Sequence, residues 1–409
     1  MIRGPNWTHN CARAALVLAF VALGNGAALA ATENFNVFTL VVGDSPASSA
    51  NGVFFDGEFI WVAIQNPDGG VLEKLSTSGY LLSTTHVGNA PVEMAYDGQD
   101  IWVSNYTSSF LSVVDENGIL INTISLPAEN PEGLLFDGKY IWTANNGLNA
   151  NSVSKIDVVT KTIKNTYIVG LDPDGVAFDG TYIWVTNSNN NDVWKLDRDT
   201  GEQLASYPTG IFPLSIIFDG RNMWIGNGTS VNVGAPVPGV GSLSKIRAAD
   251  GANLGTFAVG NHVRGLVYDG TSIWTCNSND NTVSRLRAAD VALLGTYSTG
   301  IAPRGIAFDG TNIWIANSGE NTLTVISPVA VSAASNSGPV AFGNSTLTKP
   351  ATQLGAIPFP GRAVNRPYHG RSPQREVGVA ISIPEVVTVR TVVPAKSVSS
   401  MLNLLLDVD

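Results

Sequence analysis

The chain is poor in cysteine, histidine and charge. Its 409 residues include two cysteines and four histidines, and charged residues make up 14% of the total. One cysteine, Cys11, lies near the N-terminus and the other is Cys276, so no internal disulfide is expected beyond residue 30 and the fold must depend on its apolar core. Clusters of Cys and His at metal-ligand spacing are also lacking, and the sequence therefore predicts no metal site and no cofactor.

Basic charge and long apolar runs are scarce too. The 23 Lys and Arg face 33 Asp and Glu, a formal net charge of −10, which disfavours nucleic-acid binding because that needs clustered basic residues. The apolar run at 14–23 follows Arg3 and Arg13 and precedes Ala-Leu-Ala at 28–30, the pattern of a signal peptide. No later stretch reaches the roughly 18 apolar residues of a membrane helix. We expect removal of residues 1–30 and an exported chain, periplasmic or extracellular, without a transmembrane helix.

One repeat dominates the rest of the sequence. An aromatic residue, Asp and Gly are followed, after three further residues, by Trp, and this unit recurs about every 40 residues. The motif aspartates are Asp56, Asp97, Asp137, Asp179, Asp219, Asp269 and Asp309. Such a period with β-type content is typical of a β-propeller. The sequence predicts an all-β fold in residues 31–328, a seven-bladed propeller of four-stranded antiparallel blades.

Each repeat predicts the strands of one blade. In the fourth copy, apolar runs at 175–178 and 182–186 flank an Asp-Gly dipeptide, which predicts a hairpin with a type I′ turn. An alternating run at 193–197 predicts a third strand, and a more polar run at 203–209 predicts a fourth. This fall in apolar content orders the strands from the axis of the ring to its rim, because inner strands are packed on both faces.

The seventh repeat has no fourth strand of its own. After its third strand at 322–326 the chain continues with small residues, whereas a spare strand at 35–42 precedes the first motif. We expect this N-terminal strand to complete blade seven and close the ring, since closure covers an exposed sheet edge.

Two further residue types recur. The motif Trp is expected to pack between blades, because a buried Trp covers on the order of 200 Å². An Asn follows this Trp by three residues in six repeats, and we expect it to adopt a left-handed conformation and cap its own turn. These are Asn105, Asn145, Asn187, Asn227, Asn277 and Asn317.

Charged residues stand five and seven residues before the motif Asp, just ahead of the inner strand. The candidate ligand-binding residues there are Glu132, Asp172, Asp174, His262, Arg264 and Arg304. The acids belong to repeats three and four and the cations to repeats six and seven, so an acidic arc should face a basic arc at the mouth of the central channel. Because Arg binds carboxylates and phosphates, the two arcs would orient a zwitterionic or polar ligand. Alternatively, these charges only pair with one another or with water.

Two segments depart from the repeat. Repeat five carries about ten extra residues of Gly, Pro and Val at 228–241, which would be either a lid or partner loop over the channel or a tolerated surface insertion. Residues 329–376 are rich in Ala, Ser, Asn, Gly and Pro and predict a flexible linker. Residues 377–409 form a C-terminal extension with two β-like runs and no assigned structure.

The fourth repeat carries a family resemblance. Its Ile183-Trp184-Val185-Thr186-Asn187, with the run at 192–197 and Gly201, resembles the YVTN/YncE-like propellers and is similar to the NHL and virginiamycin B lyase-like propellers. The resemblance covers about residues 36 to 328 and implies the propeller fold, on which these families place binding, scaffolding and catalytic functions.

The lyases among these families share a Glu-x-His motif, and this chain departs from it. The residues two positions before the four histidines are Trp7, Thr84, Gly260 and Pro367, none of which is Glu. The catalytic residues of the lyases therefore cannot be placed here, and no catalytic residue is assigned.

The sequence thus favours a non-catalytic ligand- or protein-binding or scaffold module. It would act through the face that carries the loops from each outer strand to the next inner strand (d–a) and from the second to the third strand of each blade (b–c). Its expected partner is a small polar ligand or another envelope or extracellular protein; the oligomeric state is left open. The alternative is a metal-dependent lyase or lactonase-type enzyme at the channel mouth, for which Glu132 and His262 would be a conceivable acid–base pair. A third hypothesis is a surface interaction module that uses the C-terminal extension and the insertion in repeat five.

Overall fold

A computed structural model describes residues 35–147, 150–228 and 241–329 of the chain. These residues form seven four-stranded antiparallel sheets and no helix, so the predicted seven-bladed propeller is confirmed. In this part of the chain no helix is long and apolar enough to cross a membrane. The expected signal peptide at 1–30, most of the insertion at 228–241, the linker beyond residue 329 and the C-terminal extension lie outside the described residues.

The strands follow the chain from the channel to the rim in each blade. β1 (Phe35–Val41) belongs to the last blade, and blade one comprises β2 (Ser49–Phe55), β3 (Ile60–Asn66), β4 (Gly69–Leu75) and β5 (Leu81–His86). Blade two comprises β6 (Pro91–Tyr96), β7 (Asp100–Asn105), β8 (Phe110–Asp115) and β9 (Leu120–Ser125). Blade three comprises β10 (Pro131–Phe136), β11 (Tyr140–Asn145), β12 (Ser152–Asp157) and β13 (Thr162–Ile168).

The remaining blades repeat this order. Blade four comprises β14 (Pro173–Phe178), β15 (Tyr182–Asn187), β16 (Asp192–Asp197) and β17 (Gln203–Pro208). Blade five comprises β18 (Pro213–Phe218), β19 (Asn222–Asn227), β20 (Ser242–Arg247) and β21 (Asn253–Ala258). Blade six comprises β22 (Val263–Tyr268), β23 (Ser272–Asn277), β24 (Thr282–Arg287) and β25 (Leu293–Ser298). Blade seven comprises β26 (Pro303–Phe308), β27 (Ile313–Asn317), β28 (Thr322–Pro328) and β1.

The N-terminal strand closes the ring as predicted. β1 pairs antiparallel with β28 along its whole length, from Phe35 opposite Pro328 to Val41 opposite Thr322. The ring of Phe35 also packs edge-on against Trp274 of blade six, with ring centroids 5.6 Å apart. The strand therefore completes one blade and seals its boundary with the blade before it.

The Asp-Gly turns differ from the expected type I′ geometry. In the first repeat Phe55 pairs with Ile60, which leaves a loop of four residues rather than two. Within these turns the motif glycine has positive φ, for example 106° at Gly57, whereas the preceding aspartate does not. The expectation of two positive φ angles was wrong because the Asp carboxylate organises the loop. Oδ1 of Asp56 accepts the backbone N–H groups of Glu58 and Phe59 at 2.8 and 2.7 Å.

The same carboxylate holds the motif Trp. In every blade Oδ2 of the Asp accepts a hydrogen bond from the indole N–H of the Trp five residues later, at 2.6–2.9 Å. All seven indoles are buried, with at most 1% of their surface exposed. The motif thus satisfies the one polar group of a side chain that fills the space between blades.

The recurrent Asn is buried at the end of the second strand of its blade. Asn145, for example, donates from Nδ2 to the hydroxyls of Ser152 and Ser154 on the neighbouring strand, both at 3.0 Å. None of the six has positive φ, so the expected left-handed conformation was wrong. The left-handed position lies instead seven residues before the motif Asp, in the loop that enters the inner strand. It is occupied by Ala90, Asn130, Asp172, Phe212, His262 and Ala302.

Neighbouring inner strands approach closely around the axis. Four residues before the motif Asp, five blades have Gly, and a Cβ built on Gly265 would lie 2.1 Å from the carbonyl oxygen of Arg304 in the next blade. Gly is needed there because any side chain would collide with backbone. Blade five has Ser215 at this position, and blade two has Glu93.

Candidate functional site

The candidate residues meet at the mouth of the central channel. A cavity of about 490 Å³ is lined there by all seven residues that stand five positions before a motif Asp. These are Asn51, Val92, Glu132, Asp174, Leu214, Arg264 and Arg304. Each is carried at the start of an inner strand, where the tight packing of neighbouring strands fixes its direction. The expected acidic and basic arcs therefore face one cavity.

An ion-paired group crosses this mouth. Glu132 of blade three accepts a charge-assisted hydrogen bond from Nη2 of Arg304 in blade seven, and Nη1 of Arg264 in blade six lies 4.0 Å from the same oxygen. We call Glu132, Arg264 and Arg304 the cross-channel triad. Only 11% of the Glu132 side chain is exposed, whereas 33% of Arg264 is exposed and faces the cavity. Mutual pairing, the alternative expected from the sequence, thus accounts for part of the charged ring.

Asp174 is an acidic residue of the mouth that takes no part in the ion pairs of the cross-channel triad. Among the described residues no side chain donates a hydrogen bond to its carboxylate, although it lines the mouth beside the triad. Burial raises the pKa of Asp174 well above its usual range and Glu132 raises it further, against the opposing effect of Arg264 and Arg304. Asp174 is therefore poised to accept a proton or a ligand cation.

Asp172 and His262 occupy the left-handed loop position, each with φ of 60°. Oδ2 of Asp172 accepts a hydrogen bond from Asn189 at 3.0 Å, and burial followed by the charge of Glu132 raises the pKa of Asp172. Burial, Arg264 and Arg304 lower the pKa of His262 to about 4, so its imidazole is neutral at pH 7. Nε2 of His262 accepts a hydrogen bond from Nε of Arg264 at 3.2 Å.

Arg264 therefore contacts both members of the conceivable acid–base pair. It donates to His262 and approaches Glu132, so the imidazole orients a cation rather than taking a proton. The hydrogen bond from Arg264 therefore occupies Nε2 of His262.

Glu93 is a site residue that the sequence analysis missed. It lines a second cavity of about 370 Å³ together with Glu132, Asp174, Arg264 and Arg304. Its side chain is exposed to the lumen of the channel, where the inner strands of the blades surround it. Burial raises the pKa of Glu93 to about 7; Arg304 counteracts this shift and Glu132 adds to it. The signal in the sequence was a Glu at a position where five of the other six blades have Gly.

Tyr106 was missed as well. It follows the second strand of blade two and lines the mouth beside Asp174. Burial, and then the charges of Glu132 and Asp174, raise the pKa of its phenol, which remains a neutral hydrogen-bonding group. Tyr106 directly follows the recurrent Asn105, but the residue type at this position differs from blade to blade, so periodicity could not single it out.

The pKa of Glu93 gives a testable dependence of stability on pH. Folding makes Glu93 hold its proton above the usual Glu value, so the free energy of unfolding should fall as pH rises from about 4.3 to about 7. Glu93→Gln cannot titrate and should be more stable than the parent at about pH 8, by on the order of 1 kcal/mol after allowance for water in the channel. At about pH 4 this gain should vanish.

Urea unfolding at both pH values measures this difference. Glu58→Gln is the matched control, because Glu58 is exposed in a turn and lines neither cavity. An equal gain in the free energy of unfolding for both variants at the higher pH would contradict the raised pKa of Glu93. A gain for Glu93→Gln that does not depend on pH would contradict it as well.

Among the described residues, no three His, Cys, Asp or Glu side chains are grouped so that they could hold a metal ion. The mouth instead has an acidic arc from blades three and four opposite the guanidinium groups and the neutral imidazole of blades six and seven.

Comparisons with known proteins give the fold. No family model matches the sequence, and no curated protein matches it. Hydrazine synthase of Kuenenia stuttgartiensis is 18% identical, with a TM-score of 0.61 over 70% of this chain and 97% of that chain. A streptogramin B lyase is 18% identical, with a TM-score of 0.59 over 72% of this chain and 98% of that chain.

A third neighbour is a catalytically inactive virginiamycin B lyase of Staphylococcus aureus with quinupristin. It is 17% identical, with a TM-score of 0.59 over 72% of this chain and 99% of that chain. At these identities the likeness is one of fold, and the chain is a seven-bladed β-propeller similar in architecture to these proteins.

Proposed function

We propose that this chain is an exported, non-catalytic binding propeller that takes a small polar ligand at the mouth of its central channel. The observation that carries the proposal is the carboxylate of Asp174, which has no hydrogen-bond donor among the described residues and faces the cross-channel triad over a cavity of about 490 Å³. A concave site with a few convergent polar groups is where propellers and other folds bind small molecules.

The charges favour a ligand that carries both signs. Asp174 would accept the positive or donating group of the ligand, while the partly exposed guanidinium of Arg264 would receive its carboxylate or another acceptor. His262 supports this role, because the hydrogen bond that it accepts orients Arg264 toward the mouth.

A second candidate is an enzyme of lyase or lactonase type at the same site. The observation that favours it is Glu93, whose pKa of about 7 suits a general acid or base near neutral pH. A lyase of the same fold is known with quinupristin, which supports the idea that such a propeller can hold a small molecule. Membership of the YVTN/YncE-like group and binding of an envelope or extracellular protein on this face are further parts of the proposal, supported by the repeat sequence.

Two substitutions at the mouth test the binding site. Asp174→Asn and Arg264→Gln should each lower the affinity for a zwitterionic ligand by about tenfold or more, because each removes one charge-assisted hydrogen bond. The probes are free amino acids and dipeptides, screened by thermal shift and then titrated calorimetrically against the chain without its first thirty residues.

The control variant changes one member of an exposed ion pair on the outside of the ring. Arg247 and Asp250 form an exposed ion pair at 2.8 Å, and Asp250→Asn should leave the affinity unchanged. If no probe raises the melting temperature, or if the control loses as much affinity as Asp174→Asn, the proposal is wrong. Chemical conversion of a bound probe, followed by mass spectrometry, would support the enzyme instead.

A further inference from the structure

The channel beneath the mouth has a different character from the mouth itself. Its cavity of about 370 Å³ shares Glu132, Asp174, Arg264 and Arg304 with the mouth, so these residues form a charged layer between the two spaces. Below this layer the walls are apolar, contributed by the inner strands of several blades. They include Phe54, Leu134, Ile217, Val267 and Ile306, whose side chains are partly exposed.

Glu93 brings an additional charge to this apolar channel. It occupies a position that holds Gly in five blades, where inner strands pack too closely for a side chain. In blade two the side chain nevertheless projects to the lumen, and no described residue donates a hydrogen bond to its carboxylate. A carboxylate placed in an apolar channel without a partner is costly unless something pairs with it.

The layer holds more carboxyl groups than guanidinium groups. Glu93, Glu132, Asp172 and Asp174 supply four carboxylates, whereas Arg264 and Arg304 supply two guanidinium groups, and His262 is neutral. Both guanidinium groups approach Glu132. Asp172 already accepts from Asn189, so the carboxylates left to a ligand are those of Asp174 and Glu93.

This excess of carboxyl groups favours a cation with hydrogen-bond donors, whose binding would displace the protons that burial keeps on Asp174 and Glu93. An alkylammonium group has three N–H donors and can serve two carboxylates at once. A divalent metal is less suited, because the guanidinium groups of the layer repel it. The apolar walls below the layer would pack against the hydrocarbon part of such a ligand.

We propose that the ligand of this channel carries an aliphatic primary amine, whose ammonium group binds Asp174 and Glu93 in the cavity that both line and whose hydrocarbon part packs on the apolar channel wall. This inference rests on the proposed function and narrows its ligand class. Glu93 is then the residue that selects amines over other polar molecules.

The expected dependence on pH follows from the groups that face Glu93. Burial favours the protonated form of Glu93 and of Asp174; Glu132 and Asp172 strengthen this effect at Asp174, and the two arginines oppose it. Cys276 and Tyr106 also face this part of the ring, and both are neutral because burial raises the pKa of each. A bound ammonium group favours the ionised carboxylates. Binding should therefore release protons, and affinity should rise with pH through about 7.

Calorimetric titration of the chain without its first thirty residues tests the inference with n-hexylamine, hexanoate and n-hexanol as probes. Hexylamine should bind at least about tenfold more tightly than the other two at about pH 7.5. Titrations in buffers of different ionisation enthalpy should show proton release on binding. Glu93→Gln should lose about tenfold in affinity at this pH and much less at about pH 5.5, where Glu93 is protonated.

Two further variants guard against a folding defect. Glu93→Gly restores the residue that five blades have at this position and should fold, yet it should lose hexylamine binding as Glu93→Gln does. Glu58→Gln should bind as the parent does. Hexylamine no tighter than hexanoate, tighter binding of Ca²⁺ or Mg²⁺ than of hexylamine, or unchanged affinity in both Glu93 variants would each overturn the inference.

The outcome separates this inference from the function on which it rests. If amino acids or dipeptides bind and depend on Asp174 and Arg264 while hexylamine does not bind, the proposed binding site stands and the amine class is wrong. If neither kind of probe binds, both are wrong.

Discussion

Removal of the closing strand is expected to lower the melting temperature by roughly 10 °C or more, the largest effect of any change considered. Deletion of residues 31–43 takes away β1, which pairs with β28 along seven residues and completes blade seven. It also removes Phe35, whose ring packs against Trp274 and Tyr297 of blade six at 5.6 and 5.5 Å. The loss should therefore open an apolar boundary as well as an edge of the sheet.

A shorter truncation is the matched control. A chain that begins at residue 34 lacks all of the expected signal peptide but keeps β1, and it should melt at the same temperature as one that begins at residue 31. Differential scanning calorimetry measures all three chains. If loss of β1 left the melt unchanged, the strand would not be part of the closure.

The second large effect is expected from a motif Trp. Trp184 is fully buried, donates to Oδ2 of Asp179 at 2.8 Å and stacks on Tyr207 with ring centroids 5.5 Å apart. Trp184→Ala should cost about 3–5 kcal/mol of unfolding free energy, because a large cavity remains between blades. Trp184→Phe keeps much of the volume but leaves Oδ2 of Asp179 without the indole donor, and should cost about 1–2 kcal/mol.

Trp194 provides the comparison within the same blade. It is half-buried on the third strand, with its indole N–H on Asp192 at 3.0 Å. Trp194→Ala should cost about 1–2 kcal/mol, as for an ordinary surface-proximal change. Denaturant unfolding of the three variants gives the values. A loss for Trp194→Ala as large as for Trp184→Ala would mean that the motif position has no special part in packing.

The fold could be predicted because each repeat has the same order of apolar runs and turns, and so predicts the same four strands. The geometry of the Asp-Gly turns could not be predicted, since the rule for Asp-Gly hairpins assumes a two-residue loop. Here the carboxylate of each motif Asp accepts from two backbone N–H groups and from an indole, and so stabilises a four-residue loop. The spacing of five residues from Asp to Trp was visible in the sequence, but its meaning as a hydrogen bond depends on how the hairpin folds.

The site was predictable in part for the same reason. Glu132, Arg264 and Arg304 share one position in the repeat, and the structure brings that position to one cavity. That Glu132 would reach across the lumen to an arginine depends on the width of the ring, which no local pattern contains. Glu93 was missed because it lies one residue further along, at a position that elsewhere holds a small residue.

The closing strand has a consequence for the order of folding. Blades one to six are each built from consecutive strands, so each can form from a local stretch of chain soon after its synthesis. Blade seven cannot form in this way, because β1 can pair only after β28 has been synthesised. The chain between Phe35 and Pro328 spans nearly the whole propeller. Until then the apolar face of Phe35 has no partner. The last step of folding is therefore the meeting of the two ends of the ring, and its rate sets how long the chain remains exposed to aggregation.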